Sequence, residues 1–481
     1  MTAPRPLSPG AAAWSLEDLL GATGGELLGD ARPAGFPGIS TDTRHLRPGE
    51  LFVALRGERH DGHAFVAEAL RRGAGGVLVD RAEAGAVSGL LAASREAAGI
   101  AVADTLRALG DLARFHRRRR RRAFVLAITG SNGKTTTRRM AAAVLGRRFA
   151  VLEPERNWNN LVGVPLTLFR LEPTHEAAVL ELGTNRPGEI ARLTEICTPE
   201  AGLITNIGPA HLEGLGSLEG VLAEKSALVR GLPAGGRAVL NADDPRLLRL
   251  ARECGREVLL FGLHPEARVR AAEIALEPGG TAFELVTEAG RARVRLPAPG
   301  AFLVGNALAA AAAGRLLGLS PEEIASGLAA FRPVPGRLEL RRLPGGVTVI
   351  DDTYNANPAS VEAAVETLRA LRGAARGLLV LGEMRELGPA AAALHREMGR
   401  LAARSGAARL YACGPWREEV AAGAVAAGLA AASVVTGSRE EIGAALAAEV
   451  RAGDWVLVKG SRAAGMEAIV ALLEAALRRE G

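Results

Sequence analysis

Residues 123–137 read AFVLAITGSNGKTTT, a continuous apolar run followed by a glycine-rich turn and a Lys-Thr-Thr that opens a helical pattern. Apolar runs of this kind are typical of strands buried in a parallel sheet. Backbone N–H groups in a turn between such a strand and a helix point inward and bind phosphate oxygens. The partial positive charge of the helix N-terminus adds to this attraction. The stretch therefore predicts a phosphate-binding loop.

Two residues of the loop have chemistry of their own. The Lys134 ammonium would reach the terminal phosphates of a nucleotide, and the Thr135 hydroxyl would bind Mg²⁺. The strict GxxxxGK[ST] pattern is not met, because it needs a glycine where the chain has Ile128. The prediction therefore rests on the strand before the loop and the helix after it. The residues predicted to bind the nucleotide here are Gly130, Ser131, Asn132, Gly133, Lys134, Thr135 and Thr136.

The buried-strand pattern returns repeatedly after this loop and predicts an α/β fold. It occurs again at 177–183, 201–208, 237–244, 346–352, 377–384 and 454–461. Helical patterns separate these runs, as in doubly wound parallel sheets. A chain of 481 residues predicts roughly three domains at about 100–200 residues each. We predict an α/β domain at 1–121, a parallel-sheet P-loop domain at 122–333 and a Rossmann-like α/β domain at 334–481.

The composition argues against several classes of protein. The three cysteines are far apart and odd in number, which argues against a disulfide framework or a CxxC metal site and favours a reducing cytoplasm. No uninterrupted apolar run reaches the ~18 residues of a membrane span, and residues 1–15 lack the apolar segment of a signal peptide. The net charge of +6 says little about partners.

An arginine run, HRRRRRR at 116–122, allows two interpretations. It could bind nucleic acid, or it could be a solvated linker between a helix and a strand, as charge runs usually are. Aromatic residues make up only 4% of the chain, and no nucleic-acid-binding motif accompanies the run. We therefore favour the linker and expect no nucleic-acid partner.

Lysine is rare in this chain, so its positions are informative. The 59 Lys and Arg residues include only three lysines, Lys134, Lys225 and Lys459. Lys225 could be a surface lysine by chance, a phosphate contact, or a lysine whose chemistry arginine lacks. Arginine serves phosphate contacts well, whereas only an amine can lose its proton and react with CO₂. We therefore favour a reactive amine at position 225.

Two further residues are candidate magnesium ligands. Glu181 ends a buried strand, and the carboxyl edge of an open α/β sheet is where a Mg²⁺ ligand is expected. His211 follows another buried strand after a short turn, at the same edge. A lone histidine can also be a capping or core residue, but its position favours a metal ligand.

The loop TGSNGKTTT, opening the middle of three α/β domains, resembles that of the Mur ligase superfamily. This resemblance implies that ATP hydrolysis drives amide-bond formation. It supports His211 as a metal ligand and implies that Lys225 is carbamylated, so that the resulting carboxylate helps to hold a second Mg²⁺.

Motifs in the first and third predicted domains indicate which family of this superfamily the chain resembles. STDTRHLRPGELFVALRGERHDGHAFVAEAL (40–70) resembles the domain by which two Mur ligases hold the uridine-diphosphate end of their substrate, although its Ser, Thr, Asp and Gly residues could simply form turns. The motifs IDDTYNANPASVEAAV (350–365), LGEMRELGPAAAALHREMG (381–399) and VLVKGSRAAGME (456–467) resemble the MurF-type family. That family adds D-alanyl-D-alanine to UDP-N-acetylmuramoyl-tripeptide.

The resemblance implies a role for each matching residue. Residues of the first domain that would bind the UDP end are Ser40, Thr43, Arg44, Arg56, Asp61, Gly62 and His63. Arg337 would approach the γ-phosphate, Asp352 would bind the ATP ribose, and Asn306 would lie by the adenine. The family usually has His or Asn shortly before this asparagine, whereas the chain has Phe302 and Leu303. Residues that would line the cleft or face the dipeptide or acyl group are Tyr354, Asn355, Asn357, Lys459, Ser461 and Arg462.

The implied reaction forms an acyl phosphate that the dipeptide amine then attacks. Its catalytic groups would be Lys134, Lys225, His211 and Arg337, with ATP and two Mg²⁺ ions as cofactors. We expect a cytoplasmic monomer. One alternative is a folylpolyglutamate synthase, which would lack a uridine-binding first domain; the other is a P-loop regulator or nucleic-acid binder that uses the arginine run.

Overall fold

Three mostly parallel sheets follow one another along the chain, and a small antiparallel sheet lies between the second and the third. We call the corresponding regions the N-terminal, middle and C-terminal domains. The computed structural model describes residues 14–57, 59–94, 96–155, 157–277 and 279–480. Residues 1–13, which carry most of the segment compared with a signal peptide, lie outside this part. The predicted α/β class is confirmed.

The N-terminal domain is built on a five-stranded sheet. Its strands are β1 (Glu26–Leu28), β2 (Ile39–Ser40), β3 (Leu51–Val53), β4 (Gly76–Asp80) and β5 (Ala98–Val102), and its helices are α1 (Leu16–Thr23), α2 (Val66–Arg71), α3 (Ala84–Ser94) and α4 (Thr105–Arg119). The strand order is β1-β5-β4-β3-β2, with β1 antiparallel and the other pairs parallel. The carboxyl ends of β2, β3 and β4 therefore meet at one edge.

The middle domain has a six-stranded, wholly parallel sheet in the order β11-β10-β9-β6-β8-β7. Its strands are β6 (Phe124–Thr129), β7 (Val151–Leu152), β8 (Ala177–Glu181), β9 (Ala201–Ile204), β10 (Arg237–Asn241) and β11 (Glu257–Phe261). Its helices are α5 (Lys134–Leu145), α6 (Gly163–Leu168), α7 (Glu189–Cys197), α8 (Leu212–Leu215), α9 (Leu218–Arg230), α10 (Pro245–Glu253), α11 (Phe302–Leu316) and α12 (Pro321–Ala329). Leu126 and Ile128 pack into the core on one face of this sheet, and Val125 and Ala127 pack into the core on the other. Burial on both faces explains the continuous apolar run.

An antiparallel sheet that the sequence analysis did not predict follows β11. Its strands are β12 (Arg270–Glu277), β13 (Gly280–Thr287) and β14 (Gly290–Leu296). The pattern in β14 alternates, with Val294 buried between the exposed Arg293 and Arg295. Such a half-exposed sheet has no continuous apolar run, so a search for buried parallel strands misses it.

The C-terminal domain has a six-stranded sheet in the order β15-β16-β20-β17-β18-β19, parallel except for β15. Its strands are β15 (Glu339–Arg342), β16 (Thr348–Asp352), β17 (Gly377–Leu381), β18 (Arg409–Cys413), β19 (Val434–Gly437) and β20 (Trp455–Lys459). Its helices are α13 (Pro358–Arg372), α14 (Ala391–Arg404), α15 (Arg417–Ala426), α16 (Arg439–Glu449) and α17 (Glu467–Glu480). Apolar cores cover both faces of this sheet.

The prediction of a solvated linker at 116–122 is wrong for the start of the arginine run. His116 and Arg117 are buried in the last turns of α4. The Arg117 guanidinium donates to both carboxylate oxygens of Glu200, at 2.5 and 2.7 Å, and to the carbonyl oxygen of Cys197. A helix end packed against the middle domain therefore replaces part of the linker, and the exposed arginines of the run are Arg118, Arg119, Arg121 and Arg122.

In the part of the chain that the structure describes, no helix is both long and apolar enough to cross a membrane.

Candidate active site

A cavity of about 900 Å³ lies between the middle and C-terminal domains. Loops that follow the carboxyl ends of parallel strands in both sheets form its walls, which is where open α/β sheets bind ligands. The predicted site residues that line it are Ser131, Asn132, Gly133, Lys134, Thr135, Thr136, Glu181, His211, Asn306, Arg337, Asp352, Tyr354, Asn355, Asn357, Lys459, Ser461 and Arg462. Residues widely separated in sequence thus meet in one cleft.

The phosphate loop needs glycine at two positions. Gly130 and Gly133 have φ angles of 147° and 80°, which disfavour other residues. A Cβ atom at Gly130 would lie 1.9 Å from the Thr205 hydroxyl oxygen, and one at Gly133 would lie 2.2 Å from the Asn306 side-chain oxygen. The backbone is therefore held close to its neighbours, with the N-terminus of α5 facing the cavity.

The loop is braced from the turn after β9. The Asn132 N–H donates to the Asn206 side-chain oxygen at 2.9 Å, and the Thr205 hydroxyl donates to the Asn132 carbonyl oxygen at 2.6 Å. The Lys134 ammonium donates to the Gly130 carbonyl oxygen at 2.8 Å. Burial lowers the pKa of this lysine, although nearby Glu181 opposes the shift. The loop is thus ordered by its contacts with that turn and by the internal bond of Lys134.

Glu181, at the end of β8, has one carboxylate oxygen that accepts a hydrogen bond and one that does not. Its Oε1 accepts a hydrogen bond of 2.9 Å from the Asn159 side chain, whereas its buried Oε2 has no hydrogen-bond partner. The Arg138 Nε atom lies 3.7 Å from that oxygen. A buried carboxylate oxygen that accepts no hydrogen bond, beside a phosphate loop, is suited to a cation that arrives with the phosphates.

Lys225, on α9, lies behind the cavity wall and is fully buried. Its Nζ atom has no hydrogen-bond partner. Burial lowers the pKa of this amine well below its usual value, the charge of Lys134 lowers it further, and Glu224 opposes both effects. Burial and the nearby charge of Lys134 therefore both disfavour the ammonium form of this amine.

His211 precedes α8 and faces the C-terminal domain. Its Nδ1 atom lies 2.5 Å from the Glu386 carboxylate, which belongs to the loop after β17. The two side chains therefore join the domains at the edge of the cavity.

In the C-terminal domain, two arginine side chains lie near the ring of one tyrosine at the cavity. The Arg337 guanidinium lies 4.2 Å from the centre of the Tyr354 ring and donates to the Thr135 hydroxyl at 3.3 Å. Arg462 lies 5.8 Å from the same ring. Positive charge from the C-terminal domain is thus held beside the phosphate loop.

Lys459 and Asp352 form a buried ion pair at the floor of the cavity. The Lys459 ammonium donates to the Asp352 carboxylate and, at 3.0 Å, to the Asn355 carbonyl oxygen. The second Asp352 oxygen accepts from the Leu338 N–H at 3.1 Å. Ser461 is buried nearby, and its hydroxyl has no partner.

The predicted UDP-binding residues lie apart from the cavity, at the carboxyl edge of the N-terminal sheet. The Arg56 guanidinium lies within 3.3 Å of the carboxylates of Asp61, Asp80 and Glu83. His63 accepts at Nε2 from the Asp80 N–H at 3.0 Å, so its Nδ1 carries the proton and donates to Asp61 at 2.6 Å. A polar network therefore shapes this edge.

The first motif, at 40–44, lies on the adjoining strand end. Ser40 ends β2, and Arg44 forms an ion pair with Asp42, whose pKa its guanidinium lowers to about 2. A Cβ atom at Gly62 would lie 2.6 Å from the Leu55 backbone nitrogen. Thr43 lies in the turn between these groups, so both motifs reach the same sheet edge.

Comparisons with known proteins agree with these observations. The model of the Mur ligase middle domain matches residues 128–314, that of the Mur ligase glutamate ligase domain matches 336–462, and that of the Mur ligase family catalytic domain matches 36–117. The UDP-N-acetylmuramoyl-tripeptide–D-alanyl-D-alanine ligase of Escherichia coli is 39% identical over 91% of this chain and 93% of its own length. The chain belongs to the Mur ligase family, as an ATP-dependent ligase of the MurF type.

Solved MurF structures share the fold of this Mur ligase. MurF from Acinetobacter baumannii superposes with a TM-score of 0.88 at 33% identity, over 97% of this chain and 99% of that one. MurF from Thermotoga maritima, solved in complex with ADP, superposes with a TM-score of 0.81 at 29% identity, over 92% and 98% of the two chains. The predicted family resemblance is confirmed.

Sequence reasoning missed several polar residues of this Mur ligase site. Asn159 holds Glu181, Asn206 braces the phosphate loop, and Glu386 pairs with His211. An asparagine-rich run, NWNN at 157–160, and the motif LGEMRELG were visible in the sequence. Neither says which partner its side chains contact, because those partners lie in other segments.

Proposed function

We propose that this Mur ligase joins D-alanyl-D-alanine to the terminal carboxylate of UDP-N-acetylmuramoyl-tripeptide at the expense of ATP. The proposal rests on one observation above all: a phosphate loop and an arginine of the C-terminal domain face each other across one cleft, as the contact between Arg337 and Thr135 demonstrates. The names of the relatives supply the substrates.

The N-terminal domain would bind the uridine-diphosphate end of the substrate. Support comes from the sheet edge where Ser40, Arg44 and Arg56 lie with polar turn residues. Arg44 is exposed, and its guanidinium can bind a diphosphate. Thr43, Asp61, Gly62 and His63 complete the proposed contact set.

ATP would bind with its phosphates on the loop 130–136 and its adenine near Asn306. The Asn306 side chain lies against Gly133 and accepts a hydrogen bond of 3.2 Å from Thr137, which supports a position beside the nucleotide. Asp352 would contact the ribose while it remains paired with Lys459.

The donor set fits magnesium. The Glu181 oxygen that accepts no hydrogen bond and the Thr135 hydroxyl are the hard oxygen donors that Mg²⁺ prefers, and the ion usually keeps water and phosphate oxygens as its other ligands. Among the described residues, no three His, Cys, Asp or Glu side chains form a metal cluster, which agrees with a site completed by the nucleotide. Magnesium would neutralise phosphate charge as the γ-phosphoryl group is transferred.

Lys225 would carry a carbamate that helps His211 and Glu181 hold a second magnesium ion. Its amine is buried and lacks a hydrogen-bond partner. Carbamylation joins the amine nitrogen to the carbon of CO₂ and releases one proton, so a neutral amine is required. The buried environment disfavours the ammonium form and therefore favours this reaction.

Catalysis would consist mainly of positioning and charge neutralisation. The substrate carboxylate attacks the γ-phosphorus and ADP leaves, giving an acyl phosphate; the dipeptide amine then attacks the acyl carbon and phosphate leaves. Lys134 and Arg337 would stabilise charge on the transferred phosphoryl group. The cleft near Tyr354, Asn355, Asn357, Lys459, Ser461 and Arg462 would receive the dipeptide.

Docking of the C-terminal domain would complete the site. Small-angle scattering should detect compaction when ATP analogue and UDP-substrate are present together; an unchanged radius of gyration would contradict closure. A cytoplasmic, monomeric enzyme remains our expectation.

The deciding experiment measures phosphate release with ATP, Mg²⁺, UDP-N-acetylmuramoyl-tripeptide and D-alanyl-D-alanine, omitting each in turn. We expect release only from the complete mixture, together with a new peptide product. Release with a folate and glutamate instead would favour a folylpolyglutamate synthase. Salt-sensitive nucleic-acid binding without dipeptide-dependent release would favour the P-loop regulator. Testing lysine-containing and diaminopimelate-containing tripeptides would identify the third residue.

A further inference from the structure

His211 and Glu386 meet across the boundary between the middle and C-terminal domains. The His211 Nδ1 atom lies 2.5 Å from the Glu386 carboxylate. The same loops are joined by a backbone bond, because the Glu213 N–H donates to the Glu386 carbonyl oxygen at 3.1 Å. Two hydrogen bonds therefore fix this contact, one between side chains and one between backbones.

Both residues have an unusual backbone conformation. Their φ angles are 56° for His211 and 62° for Glu386, in the left-handed region that non-glycine residues seldom adopt. Gly388, with a φ of 56°, allows the second loop to approach Glu213 closely. Such a conformation is strained for a residue with a side chain and persists where its surroundings hold it, often at functional sites.

The chemistry of the pair leaves one histidine nitrogen available. When Nδ1–H donates to a carboxylate, Nε2 carries the free lone pair, which is the atom that binds metal ions. A carboxylate partner fixes both the tautomer and the orientation of such a ring. The His211 side chain is 20% exposed and lines the cavity, so a ligand in the cavity can reach it.

We propose that Glu386 is a positioning residue of the C-terminal domain that orients His211 for magnesium. Docking of the C-terminal domain brings Glu386 to His211, so metal binding and domain docking are coupled. Glu386 touches neither substrate nor metal and acts through His211. The inference rests on the proposed magnesium role of His211.

The test uses Mn²⁺ with a non-hydrolysable ATP analogue as the probe, and pulsed electron paramagnetic resonance to detect a nitrogen ligand of the bound ion. The wild-type chain should give nitrogen modulation that His211→Ala abolishes. Glu386→Ala should reduce it and weaken Mn²⁺ affinity about tenfold, the lower end of the effect of losing such a partner. Glu386→Gln should retain most of the nitrogen modulation and most of the Mn²⁺ affinity, because the amide oxygen can accept the same hydrogen bond.

A second readout follows the domain contact, and a matched variant controls for charge. Hydrogen exchange at the peptide containing 211–217 should be faster in Glu386→Ala than in the wild type. Glu418→Ala removes the same charge from an exposed site on α15 and should leave modulation, affinity and exchange unchanged.

The outcomes separate the two proposals. Wild-type protein without nitrogen modulation would overturn the role of His211 and this inference with it. Modulation lost in His211→Ala but unchanged in Glu386→Ala would overturn only the inference. Tighter Mn²⁺ binding in Glu386→Ala would also overturn it, since Glu386 would then compete with the metal for His211.

Discussion

The side chain of Asn357, at the start of α13, donates a hydrogen bond of 2.7 Å to the side-chain oxygen of Asn132 in the phosphate loop. The other end of the same amide caps the helix, because its oxygen accepts from the Ser360 N–H at 2.9 Å. One residue thus fixes a helix of the C-terminal domain and links that domain to the loop that would bind ATP.

This double role predicts different effects for two substitutions. Asn357→Ser keeps a capping hydroxyl but cannot reach Asn132, so kcat/KM for ATP should fall about 3–10-fold, the value of one hydrogen bond of about 1 kcal/mol. The melting temperature should change little. Asn357→Ala should lower both kcat/KM and the melting temperature. Steady-state kinetics with thermal denaturation check this, and equal melting temperatures for the two variants would contradict the capping role.

The buried amine of Lys225 predicts a carbamate. Protein equilibrated with ¹³C-bicarbonate at pH 8 should show a carbamate carbon in its NMR spectrum, and Lys225→Arg should lack it because a guanidinium does not react with CO₂. The variant should also lose at least about 100-fold in kcat, since a cation would replace the proposed magnesium ligand. An active Lys225→Arg enzyme, or a free amine at this position in the wild type, would contradict the proposal.

Substitutions at two neighbouring arginines, Arg117 and Arg118, should affect the stability of the protein to different extents. Arg117→Ala leaves the Glu200 carboxylate without its arginine partner and should lower the free energy of unfolding by about 2–3 kcal/mol. Arg118→Ala changes an exposed residue on the same helix and should stay within about 0.5 kcal/mol of the wild type. Urea denaturation measures both. Equal effects would mean that the ion pair contributes nothing beyond the charge of the run.

His116 predicts a loss of stability in acid. Burial lowers the pKa of His116 to about 4, against a usual value of 6.5, and Arg120 and Arg119 lower it as well, although its bond to the Leu171 carbonyl oxygen opposes the shift. The unfolded chain therefore binds a proton more readily than the folded one, so the contribution to stability is present above pH 6.5 and is lost as pH falls towards 4.

The expected loss from this residue is about 3 kcal/mol, at 1.36 kcal/mol for each unit of pKa shift. His116→Gln can donate the same hydrogen bond but does not titrate. The free energy of unfolding of both proteins can be measured in urea from pH 7.5 to 4.5. As the pH falls, the wild type should therefore lose more stability than the variant. Parallel pH profiles would show that His116 is not a buried neutral histidine.

Some elements of the fold could be predicted from the sequence and others could not. The strand, turn and helix at 123–137 were predictable because a local pattern encodes them: β6 is apolar on both faces, and two glycines take positive φ angles. Residues such as Lys134 and Glu181 could be placed at one sheet edge because parallel strands point the same way. The sheet β12–β14 was missed because none of its strands is a continuous apolar run, and buried and exposed residues alternate in β14.

The sequence by itself determined the α/β class, the strand, turn and helix at 123–137 and the rarity of lysine that singled out position 225. Only the tertiary structure decided that Arg117 is buried against Glu200 and that Glu386 contacts His211. The latter two are 175 positions apart, and no local periodicity carries information about such a pair. Their contact depends on how two domains dock, which the packing of the whole chain determines.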